Sequence, residues 1–122
     1  MISAKIIAKG DRFTICEIER NGISTLKKFF QNLTPEQRVG ITSAIWYIAH
    51  HGPPIRQDKF NSEGDKIYAI KDESVRIYCF FDKDSLILLT NGVIKKKRKA
   101  DPTDLKRAKK IRQLFLDARS QP

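Results

Sequence analysis

The sequence lacks any long apolar run, and this absence bears first on the compartment of the protein. No stretch of its 122 residues approaches the ~20 apolar residues that a helix needs to span a bilayer. The N-terminus also lacks the apolar core of a secretory signal, because Lys5, Lys9, Asp11 and Arg12 interrupt it. We therefore expect a cytoplasmic protein with no membrane partner.

Residues that bind metals or act as thiol nucleophiles are also scarce, with only two cysteines and two histidines. Cys16 and Cys79 lie in separate strand-like apolar runs without companions at metal-ligand spacing, so we expect buried thiols, no metal site and no cofactor. His50 and His51 are adjacent near the end of a predicted helix, where neighbouring side chains point about 100° apart. Because they cannot act on one atom, structural or solvated roles are favoured over catalysis.

The composition indicates one globular domain over residues 1–122. A hydrophobic content of 40% with 31% charged residues is ordinary for a soluble domain and too apolar for general disorder. The sequence has no internal repeat and no low-complexity linker that would mark a second domain.

Positive charge is concentrated at the end of the chain. Residues 95–122 carry 11 Lys/Arg against 3 Asp/Glu, whereas residues 1–94 carry 13 against 11. Five consecutive cations, residues 95–99, directly follow the apolar run 86–89 and the Asn91-Gly92 pair. A buried strand that delivers a cationic cluster to one edge of a sheet suits a polyanionic partner. The alternative is a solvated basic turn with no partner.

The first half of the chain predicts one strand and a helical hairpin. After an extended lead-in over 1–11, a strand is expected near 12–19. Apolar residues at Leu26, Phe29, Phe30 and Leu33 have the spacing of a helix of about two turns. A second helix begins at residues 34–37, where Thr-Pro-Glu-Gln has the pattern of a capping box, and ends at Gly52.

The second half predicts an antiparallel meander followed by a helix. A polar loop over 55–65 precedes strands at 66–71, 75–81 and 86–93, which are joined by short polar turns. Asp101-Pro102 has the pattern of a helix start. The apolar stripe of that helix comprises Leu105, Ala108, Ile111, Phe115 and Ala118, with Leu114 beside it.

Arg76 lies in the middle of the middle predicted strand. Alternation places Val75, Ile77, Cys79 and Phe81 on one face, and Arg76 on the other with Tyr78 and Phe80. A charged side chain there is costly unless it meets water, an anion or a carboxylate. Two interpretations remain open: an anion-binding residue, or a structural one that pairs with a cross-strand acid or lies on an exposed face.

The order β-α-α-β-β-β-α, with a Lys/Arg cluster after the last strand, resembles the RelE/ParE superfamily of type II toxins. The sequences at 67–71, 75–81 and 86–97, followed by a lysine-rich helix, resemble its phage-derived HigB-like branch over roughly residues 65–116. The resemblance implies an α+β fold, in which a helical hairpin and a C-terminal helix pack on a small, mainly antiparallel, twisted sheet.

The resemblance also implies a function. Such toxins cleave mRNA on the ribosome and are silenced in a complex with a helix-turn-helix antitoxin, so we expect the antitoxin, mRNA and the ribosome as partners. By position, Lys71, Arg76 and Lys95 correspond to the catalytic cations. The expected RNA contacts are Tyr78, Lys96, Lys97, Arg98 and Lys99.

Metal-independent cleavage of RNA by attack of the 2′-hydroxyl needs a base, an acid and cations near the phosphorane charge. Arg76 suits a bidentate phosphate contact, and Lys71 or Lys95, each among other cations, suits proton transfer. The chain departs from many relatives because it has no His or Tyr after Tyr78. Tyr78 either stacks on a base or belongs to the core.

Two other functions are compatible with this sequence. One is a ParE-like inhibitor that acts on DNA gyrase by protein contact, without enzymatic activity, since a shared fold does not fix function. The other is a protein that binds RNA or DNA through its basic end without cleaving it.

Overall fold

The computed structural model describes residues 1–96 and 100–120. A mixed sheet forms the centre of the α+β fold, which confirms the predicted class. The elements in chain order are β1 (Ile2–Lys9), β2 (Thr14–Arg20), β3 (Ile23–Ser24), α1 (Lys27–Gln31), α2 (Pro35–His51), β4 (Phe60–Gly64), β5 (Ile67–Asp72), β6 (Val75–Asp82), β7 (Leu86–Ile94) and α3 (Pro102–Ser120).

The sheet has the strand order β1-β2-β7-β6-β5-β4, with β3 paired to β2 outside this path. The strands β5, β6 and β7 form the predicted antiparallel meander, because only short turns connect them. The strands β2 and β7 pair in parallel, with Thr14 opposite Leu86 and Glu17 opposite Leu89, and the other described strand pairs are antiparallel. The sheet is therefore mainly antiparallel, as expected.

Helices cover both faces of the sheet, and the strand sequences alternate accordingly. In β6, Ile77 and Cys79 face the core beneath α1 and α2, whereas Tyr78 and Phe80 face the core beneath α3. In β7, Leu88 belongs to the α3 side. Because both faces are buried, these strands are apolar on both faces over residues 77–81 and 86–89, and the predicted division of β6 into two faces is confirmed.

Helix α2 has the predicted capping box. The backbone N–H of Gln37 donates to Oγ1 of Thr34 at 3.1 Å, and the backbone N–H of Thr34 donates to Oε1 of Gln37 at 3.0 Å. At the other end Gly52 adopts a φ of 83°, which glycine accepts without a steric cost. These two ends fix the helix whose buried residues Ile41 and Ile45 cover the sheet.

Three strands, β1, β3 and β4, were not predicted from the sequence, because each of them pairs with a neighbouring strand on one side only. The lead-in over 1–11 contains β1, and the adjacent predicted strand is β2, which runs from Thr14 to Arg20. The predicted polar loop over 55–65 contains β4, in which Phe60 alone is buried. An edge strand has little apolar surface to bury, so its sequence shows weak alternation.

The first predicted helix is shorter than expected. Helix α1 spans Lys27–Gln31, and the buried Leu26 and Leu33 flank it. It packs close to the sheet at Gly92 of β7, where a Cβ atom would collide with the ring of Phe29. The four apolar residues with helical spacing therefore correspond to a short helix and to one buried residue on each side of it.

Helix α3 begins as predicted, since Oδ1 of Asp101 accepts the backbone N–H of Thr103 at 2.8 Å. Its apolar stripe packs on the sheet around the fully buried Ala108. The side chain of Asn91 in β7 donates to the backbone oxygen of Asp104 at 3.1 Å. This bond ties the first turn of α3 to the sheet.

Both cysteines are buried, as predicted, and burial raises the pKa of both thiols. His50 and His51 are exposed; His50 stacks on Trp46, and its Nδ1 lies 3.7 Å from a carboxylate oxygen of Asp11. Among the described residues, no helix is both long and apolar enough to cross a membrane.

Replacement of Thr34 by alanine tests the capping box. Thr34→Ala leaves the backbone N–H of Gln37 without its acceptor, so we expect a loss of about 1 kcal/mol in the free energy of unfolding. Urea unfolding followed by circular dichroism measures it. The control is Thr42→Ala, at an exposed position inside the same helix, where no loss is expected. Equal midpoints for Thr34→Ala and the unaltered protein would contradict the assignment.

Candidate nucleic-acid interface

Two cations lie directly opposite each other at one end of the meander. Lys71 of β5 pairs with Arg76 of β6 in the antiparallel register, and Arg76 lies opposite Val93 of β7. Alternation along the strands places these residues on the same face as Ala69 and Tyr78, which is the face that α3 covers further along. Like charges in this position repel, so the pair is costly without an anion.

Arg76 makes no ion pair with a carboxylate in the described part of the chain. Its Nη1 donates instead to the backbone oxygens of Glu73 at 2.6 Å and of Val75 at 3.1 Å. Its Nε is buried without a hydrogen-bond partner. The interpretation of Arg76 as one half of a cross-strand ion pair is therefore wrong, because its cross-strand neighbour on β5 is another cation.

Lys71 is in an environment that disfavours its protonated form. Burial lowers the pKa of Lys71, and the charges of Arg76 and Lys95 lower it further, against an opposite effect of Glu63 and Asp58. Its Nζ donates to the backbone oxygen of Gln57 at 2.9 Å. A lysine with a lowered pKa next to a fixed guanidinium is suited to proton transfer.

Lys95 and Lys96 extend this face beyond the end of β7. The backbone N–H of Lys95 donates to the backbone oxygen of Ser74 at 2.7 Å, which holds the chain against the β5–β6 turn. Both lysines line a cleft of about 390 Å³. The other residues of the cleft are Tyr78, Val93, Ile94, Ala100, Asp101, Pro102 and Asp104. The predicted RNA contacts Lys97, Arg98 and Lys99 lie outside the described residues.

Tyr78 belongs to the core, which is the second of the two alternatives for this residue and corrects its inclusion among the expected RNA contacts. Its side chain is only 2% exposed and packs on the α3 side of the sheet, so no ring face is open to a nucleobase. Burial, together with nearby carboxylates, raises the pKa of Tyr78 to about 12. It forms part of the cleft as a neutral phenol.

Two carboxylates at this face were missed in the sequence. Asp104 of α3 lines the cleft, where burial and then the charge of Asp101 raise its pKa. An acidic residue in the first turn of a helix is already explained by the helix dipole, so the sequence gives no separate sign that Asp104 belongs to a site. Glu63 acts electrostatically on both Lys71 and Tyr78, but it lay in a segment predicted to be a loop. No sequence pattern distinguished it from other loop acids.

The predicted catalytic cations therefore share one face of the sheet. Lys71 and Arg76 are cross-strand neighbours, and Lys95 is close enough to act on the pKa of Lys71. Among the described residues there is no group of three or more His, Cys, Asp or Glu side chains that could hold a metal ion.

Comparison with models of known protein families finds a match for most of the chain. Residues 28–113 match the model of a family described as phage derived protein Gp49-like (DUF891). The matched segment covers more than half of the chain and includes the helical hairpin, the meander and most of α3. No curated protein matches the sequence.

The pKa of Lys71 provides a test of this arrangement. Arg76→Gln removes a positive charge that lowers the pKa of Lys71. We therefore expect Lys71 to lose its proton at a higher pH in this variant than in the unaltered protein. Glu63→Gln removes an opposing charge, so we expect the reverse shift. NMR titration of the Lys71 side chain measures both. Shifts of the same sign in the two variants would contradict the arrangement.

Proposed function

The chain belongs to the Gp49-like family of phage-derived proteins, and from this premise we propose that it is the toxin of a type II toxin–antitoxin pair that cleaves mRNA on the ribosome. We also propose kinship with the RelE/ParE superfamily and its HigB-like branch. Support comes from the order of the helical hairpin, the meander and the C-terminal helix, and from the position of the cations within them.

The observation that carries the proposal is the cross-strand pair of Lys71 and Arg76 with Lys95 beside it. In the described part of the chain no carboxylate forms an ion pair with Arg76. Three cations on one face can therefore bind the negative charge of a phosphodiester. The lowered pKa of Lys71 favours a chemical role in addition to a binding role.

The proposed reaction is metal-independent cleavage by the neighbouring 2′-hydroxyl. The 2′-oxygen attacks phosphorus, the bond from phosphorus to the 5′-oxygen breaks, and the products are a 2′,3′-cyclic phosphate and a 5′-hydroxyl. Arg76 contacts the phosphate oxygens, where negative charge grows in the transition state. Lys71 and Lys95 stabilise that charge and supply a proton to the leaving oxygen.

The proposal includes a helix-turn-helix antitoxin that neutralises the toxin in a complex. Under this proposal the antitoxin gene adjoins the toxin gene, so the neighbouring reading frame is the candidate antitoxin gene. Co-expression of that frame is expected to restore growth to cells that produce the toxin.

Expression of the chain alone in a bacterial host is expected to arrest growth, and Arg76→Ala is expected to relieve the arrest. The reason is that Arg76 is the fixed cation at the proposed phosphate site. Colony counts after induction measure the effect, with equal protein levels verified in each strain. Undiminished toxicity of Arg76→Ala would remove this residue from the site.

Arg12→Ala is the matched control, because Arg12 is exposed in the β1–β2 turn at the opposite end of the sheet. Thr14 pairs with Leu86 at the start of β7, whereas Lys95 follows the end of that strand. Leu86 and Lys95 are therefore about 30 Å apart along β7, at a rise of ~3.3 Å per residue. Arg12→Ala is therefore expected to stay fully toxic.

A map of RNA ends after induction distinguishes the candidate functions. The nuclease predicts new internal ends within translated messages, absent from the Arg76→Ala strain. Intact messages with gyrase-trapped DNA breaks would instead support a ParE-like inhibitor. Intact messages and intact DNA, with binding that weakens steeply as salt rises, would support a protein that only binds nucleic acid.

A further inference from the structure

We propose that Glu63 is the general base that removes the proton of the attacking 2′-hydroxyl. This inference rests on the proposed nuclease function and deepens it, because it assigns the base to a residue of β4. Glu63 lies in a segment whose sequence gives no sign of a strand.

A β-bulge sets the position of Glu63. Ser62 pairs with Tyr68 and Gly64 pairs with Ile67, so Glu63 is the extra residue on β4. The hydroxyl of Ser62 accepts the backbone N–H of Gly64 at 3.2 Å, and Gly64 adopts a φ of 88°. Bulges redirect a side chain and are frequent next to active sites.

A side-chain amide then directs the Glu63 carboxylate toward the cations. Nδ2 of Asn61 donates to Oε1 of Glu63 at 2.6 Å, which draws the carboxylate back along β4. Asn61 lies opposite Ala69, and Ala69 lies opposite Tyr78, so the three form one row across the sheet. Lys71 lies in the next row on this face. It is two residues from Ala69 along β5, which is about 7 Å at a rise of ~3.3 Å per residue.

Ala69, which lies between Asn61 and Tyr78 in this row, is buried and carries only a methyl group. Three described side-chain nitrogen or oxygen atoms are buried without a hydrogen-bond partner, and two of them, Oδ1 of Asn61 and Nε of Arg76, flank this site. A buried polar atom without a hydrogen-bond partner destabilises the fold. Such costs accumulate where side chains are arranged for a ligand.

A salt-bridge role does not account for Glu63. Its charge acts on Lys71 and Tyr78, yet it makes no ion pair in the described part of the chain. A carboxylate within a phosphate-binding face also repels the ligand, and so weakens binding. A half-buried carboxylate fixed by a neighbouring amide is, by contrast, suited to accept a proton from a neutral hydroxyl.

The step balances within this site. The proton of the 2′-hydroxyl passes to Glu63 as the 2′-oxygen forms its bond to phosphorus. The bond from phosphorus to the 5′-oxygen then breaks, and that oxygen takes a proton from Lys71 or Lys95. Release of the proton on Glu63 to water and uptake of one by the lysine restore the starting state.

Glu63→Gln tests the inference in a single-turnover reaction of the full chain with bacterial ribosomes that carry a defined message. The glutamine keeps the acceptor for Asn61 but cannot take the proton, so we expect the cleavage rate to fall at least 100-fold. Affinity is measured with the same message carrying a 2′-deoxynucleotide at the cleaved position. It is expected to stay equal or to increase, because a repulsive charge is lost. Glu63→Asp is expected to recover part of the rate.

Glu73→Gln is the matched control, since it removes an identical charge from the exposed β5–β6 turn, two residues from Lys71, and keeps the backbone oxygen that accepts the hydrogen bond of Arg76. Its cleavage rate is expected to stay within about threefold of the unaltered protein. Cleavage by Glu63→Gln at the unaltered rate would overturn the inference while the nuclease function stands. A parallel loss of rate, affinity and thermal stability would also overturn it, in favour of a structural role. Absence of cleavage by the unaltered protein would refute the nuclease function itself.

Discussion

The register between β5 and β6 forces two cations to face each other, and the rest of the candidate site depends on this pair. Lys71 and Arg76 are direct neighbours in that register. The register cannot slip by one residue, because Ile77 and Cys79 are buried beneath the helical hairpin while Tyr78 and Phe80 are buried beneath α3. Apolar packing on both faces of the sheet therefore holds two like charges next to each other, and an anion bound between them would relieve their repulsion.

The sequence was sufficient for the elements that carry strong local or periodic patterns. The capping box at Thr34, the meander and the start of α3 each combine a turn or cap residue with an apolar pattern of definite period. The strands β1 and β4 lacked such a pattern because each has a neighbour on one side only. Their positions follow from pairing with β2 and β5, which a local pattern does not encode.

The positively charged residues of the candidate site could be predicted from the sequence. A cation in the middle strand of a meander and a basic run after its last strand are visible in the sequence, and they share one face of the sheet. The role of Tyr78 was not predictable, since exposure depends on where α3 covers the sheet. Glu63 was not predictable either, because a bulge and the amide of Asn61 direct its side chain.

We propose that this cationic face positions one phosphodiester for attack by its own 2′-hydroxyl. The most direct measurement replaces a single 2′-hydroxyl, at the nucleotide on the 5′ side of the mapped cut, by hydrogen in a ribosome-bound message. Cleavage at that position is expected to stop, while unmodified messages yield 2′,3′-cyclic phosphate and 5′-hydroxyl ends. Continued cleavage of the deoxy-substituted message at the same position would contradict it.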